Sequence, residues 1–137
     1  MGTSKAADYS ILVVVYLASL PQGTIKSKAE LAQVLRLPSD FLSKLLQKLT
    51  HVHIIRSIKG IKGGYALQRA PEEITLRQVI EAIDGPFRLV ECLGEDGTVC
   101  IRSDLCYNIS RKLRTVQNNI NAVMEQVHFG EMAGNIL

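Results

Sequence analysis

Apolar residues recur at helical intervals in five stretches of this chain, and one short run between them alternates instead. From about Ala7 to Leu20, the positions Tyr9, Leu12, Val13, Tyr16, Leu17 and Leu20 mark a first helix. Three consecutive valines, Val13 to Val15, would suit a strand, but the pattern outlasts a typical strand and Pro21 and Gly23 punctuate its end. Ser27 followed by Glu30 is a capping box, in which a hydroxyl and a carboxylate each accept from an unpaired backbone amide, so a second helix opens there. Leu31, Ala32, Val34 and Leu35 supply its expected buried face.

Leu37 and Pro38 interrupt the pattern, because a residue before proline is pushed away from helical geometry while proline suits a helix start. A third helix follows with Phe41, Leu42, Leu45, Leu46 and Leu49 on one face. Asp40, Ser43, Lys44, Gln47 and Lys48 fall on the other. Next, Ile54 to Lys59 and Tyr65 to Leu67 flank the glycine-rich Gly60-Ile61-Lys62-Gly63-Gly64, a β-hairpin signature. Thr75 and Gln78 form a second capping box, opening a fourth helix that buries Leu76, Val79, Ile80 and Ile83 before Asp84-Gly85-Pro86 stops it.

From about Phe87 to Asp104 the chain lacks any period, and Cys92, Cys100 and Cys106 are assigned to this irregular stretch and its edge. The last element is the most regular. Leu105, Ile109, Leu113, Val116, Ile120, Val123 and Val127 follow a repeat close to the 3.5 residues of a coiled-coil seam. A helix of about 24 residues is roughly 36 Å long, more than so small a domain covers. Pairing with a second copy of the chain is therefore expected, the alternative being a helix folded back along its own domain.

With 137 residues, 47% of them hydrophobic, the chain supports one compact domain and an appended element. Its longest apolar stretch, around Ile11 to Leu20, is about half the length needed to cross a bilayer. No secretory signal pattern is evident, and a cytoplasmic location is expected. The net charge of +3 conceals a segregation. Lys26 to Arg69 holds nine basic and two acidic residues, +7 net, which leaves the remainder at −4. That division suits a module facing a polyanion, joined to a neutral or acidic one.

Two capped helices across a short turn, a polar face on the second and a basic glycine hairpin together make a winged helix-turn-helix. The fold class expected is mainly α with a small β-hairpin wing, followed by a long C-terminal dimerisation helix. Residues 1–86 form the DNA-binding domain in this division, 87–104 a cysteine-containing sensor loop, and 105–137 the dimerisation helix and tail. Double-stranded DNA is the natural partner. Ser39, Ser43, Lys44, Gln47 and Lys48 on the third helix are placed to meet base edges and phosphates in the major groove. Ser27 and Lys28 would meet a phosphate at a helix amino terminus. Lys59 and Lys62 on the wing would enter the minor groove or grip the backbone. His51, His53 and His128 read as surface or helix-end residues and are not assigned as ligands.

Three cysteines, separated by seven and then five residues, argue against a disulfide framework in such a chain. Structural zinc sites usually contain tighter pairs. Clustered thiolates are soft ligands suited to an iron-sulfur group, and Gly94 and Gly97 let the loop fold around one.

At Ser4-Lys5-Ala6-Ala7-Asp8-Tyr9, Phe41 through Leu49, Gly60 through Tyr65 and the cysteine trio, the chain resembles the Rrf-type transcriptional regulators, which include IscR and NsrR. That resemblance implies a two-fold dimer, two recognition helices about one DNA turn apart and an imperfectly palindromic operator. It also implies a cluster on Cys92, Cys100 and Cys106. IscR-like members place a histidine three residues after the last cysteine, where Ile109 stands here, which turns attention from a 2Fe-2S site. NsrR-like members use an aspartate at the start of the first helix, contributed by the other subunit, and Asp8 matches it. A 4Fe-4S cluster with Asp8 as exchangeable ligand is thus favoured, with 2Fe-2S kept open. Lys59 and Ser43 depart from residues common in the family, so no operator sequence is carried over.

The function expected is a regulator, in the sense of a repressor, that senses redox, nitric oxide or iron status and is not an enzyme. A cluster-free thiol-redox or metabolite-responsive regulator of the same fold remains the alternative. An iron-sulfur electron carrier is a further one, for which no nucleophile, base or nucleotide loop speaks.

Overall fold

The computed structural model describes residues 4–90 and 103–134. Six helices and a two-stranded sheet follow in the order α1 (Lys5–Ala18), α2 (Lys28–Leu35), α3 (Ser39–His51), β1 (Ile55–Ile58), β2 (Gly64–Leu67), α4 (Leu76–Asp84), α5 (Ser103–Gln126) and α6 (Phe129–Met132). A 3-10 turn at Pro71–Glu73 precedes α4.

Helix α1 starts two residues earlier than its apolar pattern indicates, because Ser4 caps it: the Ser4 hydroxyl accepts from the Ala7 amide at 3.2 Å. It also ends before Leu20, with Ser19 as its carboxyl cap. Val13, Val14, Val15, Tyr16 and Leu17 are all buried, so this helix runs through the core and is enclosed on most sides. Leu12, expected inside, is 38% exposed.

Both capping boxes are present, at Ser27/Glu30 and Thr75/Gln78. On α2 the buried face is narrower than expected: Leu31 is fully enclosed while Val34 is 46% exposed. The helix stops at Arg36, which adopts the left-handed conformation at φ 56° and sends the chain into Leu37 and Pro38. Pro38 then stands as the cap of α3. Leu42, Leu45, Leu46 and Leu49 bury as the helical repeat requires. Phe41 is half out, its ring edge-on to Tyr9 with centroids 5.5 Å apart.

The hairpin pairs Ile55 with Leu67 and Ile58 with Gly64 in antiparallel register. A third backbone segment joins it. Lys26 and Tyr65 exchange both amide bonds, at 2.9 and 2.8 Å, so the wing is stitched to the residue that precedes the α2 cap. This pairing was not anticipated from sequence.

Helix α5 spans 24 residues, the length expected, and begins at Ser103, which places Cys106 in its first helical turn. Its far end is fixed to α4 by the Arg77–Glu125 ion pair at 2.9 Å and by the Leu76 amide donating to the Val127 carbonyl. The chain then returns to the core: α6 packs on α1 and on the Pro71–Glu73 turn, and Phe129 is fully buried.

Candidate nucleic-acid interface and sensor site

The helix-turn-helix gathers several of the sequence-assigned groups on one surface. The Lys28 ammonium donates to the Ser43 hydroxyl at 3.0 Å, linking the start of α2 to the middle of α3. Ser43 in turn donates to the Ser39 carbonyl one turn back. Ser39, Lys44 and Gln47 are exposed on α3, and Lys28 beside them. Ser27 is partly buried, its hydroxyl accepting from the Glu30 amide as a cap. The Ser27 amide and hydroxyl, followed by nearby Lys26, hold the Glu30 carboxyl below the usual carboxylate range. The ionised carboxylate accepts from the Ser27 amide and lies favourably at the positive end of α2.

Lys59 and Lys62 are exposed on the wing, on either side of Gly60 and Ile61. Ile61 is the one wing residue that sequence reasoning passed over as mere turn: it is completely exposed. Its signal was an isoleucine among glycines and lysines, where no core face exists. Lys48 takes a different direction from its neighbours. Its ammonium donates to the backbone carbonyl of Ile83 at the end of α4, 3.2 Å away.

Among the sensor residues, Cys92 and Cys100 lie outside the described residues. Cys106 is partly buried and carries a free thiol. Asp8 is exposed in the first turn of α1. The segment leading toward Cys92 is firmly held before it leaves the described region. Gln117 of α5, only 6% exposed, donates to the Phe87 carbonyl and accepts from the Leu89 amide, and its amide group also donates to Asn121. A buried amide with its donors and acceptor so engaged fixes the loop root to α5.

Along α5 the expected seam is bare. Leu105, Ile109, Val116 and Val123 are 76, 58, 44 and 61% exposed, while Leu113, Ile120 and Val127 are only partly covered. A single chain thus leaves much of this stripe without apolar neighbours.

A helix pair opened by a capping box and carrying a basic exposed face, a glycine wing tied to that pair, and a long helix with an uncovered seam define a winged-helix regulator architecture. Residues 3–135 match the Rrf2 family, described as iron-dependent transcriptional regulators. The chain belongs to the Rrf2 family. As an Rrf2-family transcriptional regulator it is a DNA-binding protein and not an enzyme. It is 31% identical to the HTH-type transcriptional regulator NsrR of Shouchella clausii over 106 residues, which cover 77% of this chain and 71% of that protein. The solved structure of CymR, the global cysteine regulator of B. subtilis, superposes with a TM-score of 0.77 at 23% identity, covering 98% of both chains. IscR of T. potens superposes at 0.66 with 18% identity, over 96% of this chain and 85% of that one. At such identities the two structures speak for the Rrf2 fold alone. No helix among the described residues is long and apolar enough to cross a membrane.

Proposed function

We propose that this Rrf2-family protein is a homodimeric repressor that reports redox, nitric oxide or iron status through an iron-sulfur cluster held by Cys92, Cys100 and Cys106. The observation that carries this reading is the family's iron dependence met by three cysteines in this chain. The donor set fits the group: three thiolates provide soft sulfur ligands, and the exposed Asp8 carboxylate of the partner subunit provides a weaker oxygen ligand. A 4Fe-4S cluster accords with that set, 2Fe-2S being the variant to test against. When bound, the cluster supplies redox chemistry and a corner that small oxidants or nitric oxide can attack.

The chain's own residues do the rest. Cys106 ties the site to the first turn of α5, and Gln117 ties the loop root to the same helix nearly half its length further on. A change in the cysteine segment therefore acts on the helix that sets the dimer. Through the bare α5 stripe, two copies would hold their recognition helices about one DNA turn, roughly 34 Å, apart. DNA contacts fall to Ser39, Ser43, Lys44 and Gln47 in the major groove, and to Ser27 and Lys28 at a flanking phosphate. Lys59 and Lys62 would take the minor groove, with Ile61 as an apolar contact at the tip. The operator would be an imperfect palindrome matching the two-fold axis.

Anaerobic reconstitution with iron and sulfide counting tests the site. The wild type is expected to acquire visible absorbance and sulfide in equal stoichiometry with iron. Cys106→Ala should lose most of both, and Asp8→Ala should load but lose iron faster in air. A colourless wild type after anaerobic reconstitution would sink the cluster and leave the cluster-free thiol regulator standing. Fluorescence anisotropy on the protein's own promoter, with loaded and apo protein, then measures whether the cluster state alters affinity.

A further inference from the structure

The carboxyl end of α4 is a junction at which three parts of the molecule meet, and Lys48 is one of its members. Helices leave their last carbonyls unpaired and their negative dipole end uncompensated. Helix α4 has no basic residue in its last turn and ends on an acid, Asp84. Both needs are met from elsewhere in the fold. From the recognition helix, the Lys48 ammonium donates to the Ile83 carbonyl, a charge-assisted bond at the negative pole. From α1, the Ser4 amide and hydroxyl both donate to the Asp84 carboxylate, which therefore lies at the positive pole of the helix that carries Asp8. Immediately after the junction, Gly85 adopts φ 77° and turns the chain into Phe87 and Leu89, where Gln117 holds it against α5.

We propose that Lys48 is a positioning residue that couples the recognition helix to the root of the sensor segment, and that it is not a phosphate contact. Its neighbours Lys44 and Gln47 are exposed and have no such tether among the described residues, which leaves them available to DNA. Any displacement of residues 85–89 moves the α4 terminus, and the Lys48 bond to the Ile83 carbonyl transfers that displacement to α3 within one subunit. This route is additional to a change in dimer spacing, and it rests on the sensor reading above for its physiological use.

The two roles of Lys48 give opposite signatures. Full-length wild type, Lys48→Met and Lys48→Arg are titrated by anisotropy against the protein's own promoter duplex, loaded and apo, over a salt series. A phosphate contact contributes about 0.9 to the magnitude of the log–log salt slope. Under the proposal, Lys48→Met keeps the wild-type slope but shrinks a loaded-to-apo affinity ratio of about 5-fold or more to below about twofold. Lys48→Arg, which can still donate to the Ile83 carbonyl, restores the ratio. A slope reduced by about 0.9, with equal weakening of both states, would overturn the proposal. So would a ratio left intact in Lys48→Met.

Hydrogen exchange separates this outcome from a failure of the sensor reading. Lys48→Met should speed amide exchange in the last turn of α4 and the carboxyl half of α3 together, whatever the cluster does. If the wild type shows no difference between states, the sensor reading fails, while the slope and the exchange data still decide the role of Lys48. Exchange unchanged in both segments would overturn the tether itself.

Discussion

A Cβ at position 64 would stand 2.5 Å from the Lys26 carbonyl oxygen and 2.9 Å from the Ser27 nitrogen. Both neighbours are backbone, so neither can swing away. The same approach lets Tyr65 and Lys26 exchange their amide bonds, which join the wing to the α2 cap. Gly64→Ala is therefore expected to push the wing off the helix-turn-helix and to cost about 1–3 kcal/mol, the range of an unrelieved steric overlap. The thermal midpoint should fall, and DNA affinity should drop beyond what the stability loss explains, because Lys59 and Lys62 lose their placement. An alanine variant with unchanged melting and binding would show that the strand contact is dispensable. From sequence the Gly63-Gly64 pair reads as part of a glycine-rich hairpin turn; the structure adds that Gly64 lies against the Lys26 backbone. That approach was hidden because the partner, Lys26, is 38 residues away along the chain and presents only backbone.

Among the elements, those with local causes were legible. The two capping boxes are specified within four residues each, and both formed as their sequence indicates. The α3 face and the α5 length followed from periodicity alone. What sequence did not disclose depends on distant partners: Ser4 capping α1 while holding Asp84, Gln117 clamping Phe87 and Leu89, and Phe129 inserting into the core. Each is a single residue with no repeat to announce it. The first capping box also carries a pH dependence. Glu30 is held below its ordinary carboxyl range by the Ser27 amide first, then by the Ser27 hydroxyl and Lys26. A depressed carboxyl stabilises the fold above the unfolded value, and that contribution is lost as pH falls through the lowered folded value. Glu30→Gln keeps an acceptor for the Ser27 amide but removes the charge. Its melting midpoint should lie below wild type at neutral pH and converge with it in acid, below the ordinary carboxylate range. A constant gap across that range would mean the charge contributes nothing at this helix start.

At the scale of the whole molecule, the long helix is the element whose sequence and single-chain structure disagree most about what is inside. Leu105, Ile109, Leu113, Val116, Ile120, Val123 and Val127 keep a seam spacing over seven positions, yet four of these residues are exposed. Burying apolar surface is worth about 25 cal/mol per Å², so a partner helix laid along this stripe gains stabilisation that one chain forgoes. The proposed dimer makes a definite demand on substitutions. Ile109 and Val116 belong to the seam and not to the buried core of the winged helix, which is built from α1, α3, α4 and Phe129. Replacing both by glutamate would set like charges against each other across a two-fold axis while leaving that core intact. Ile109→Glu/Val116→Glu should therefore sediment at the 15.1 kDa mass of one chain, where the wild type is expected at twice that mass, with helical content largely retained. DNA affinity should collapse toward that of a single half-site, because one recognition helix can no longer be held in register with another. Sedimentation velocity together with anisotropy on a full operator and on a half-site reads both effects. A double variant that stayed dimeric would move the interface off α5. A monomer that bound the full operator as tightly as the wild type would break the link between dimer geometry and DNA affinity on which the proposed cluster control of repression depends.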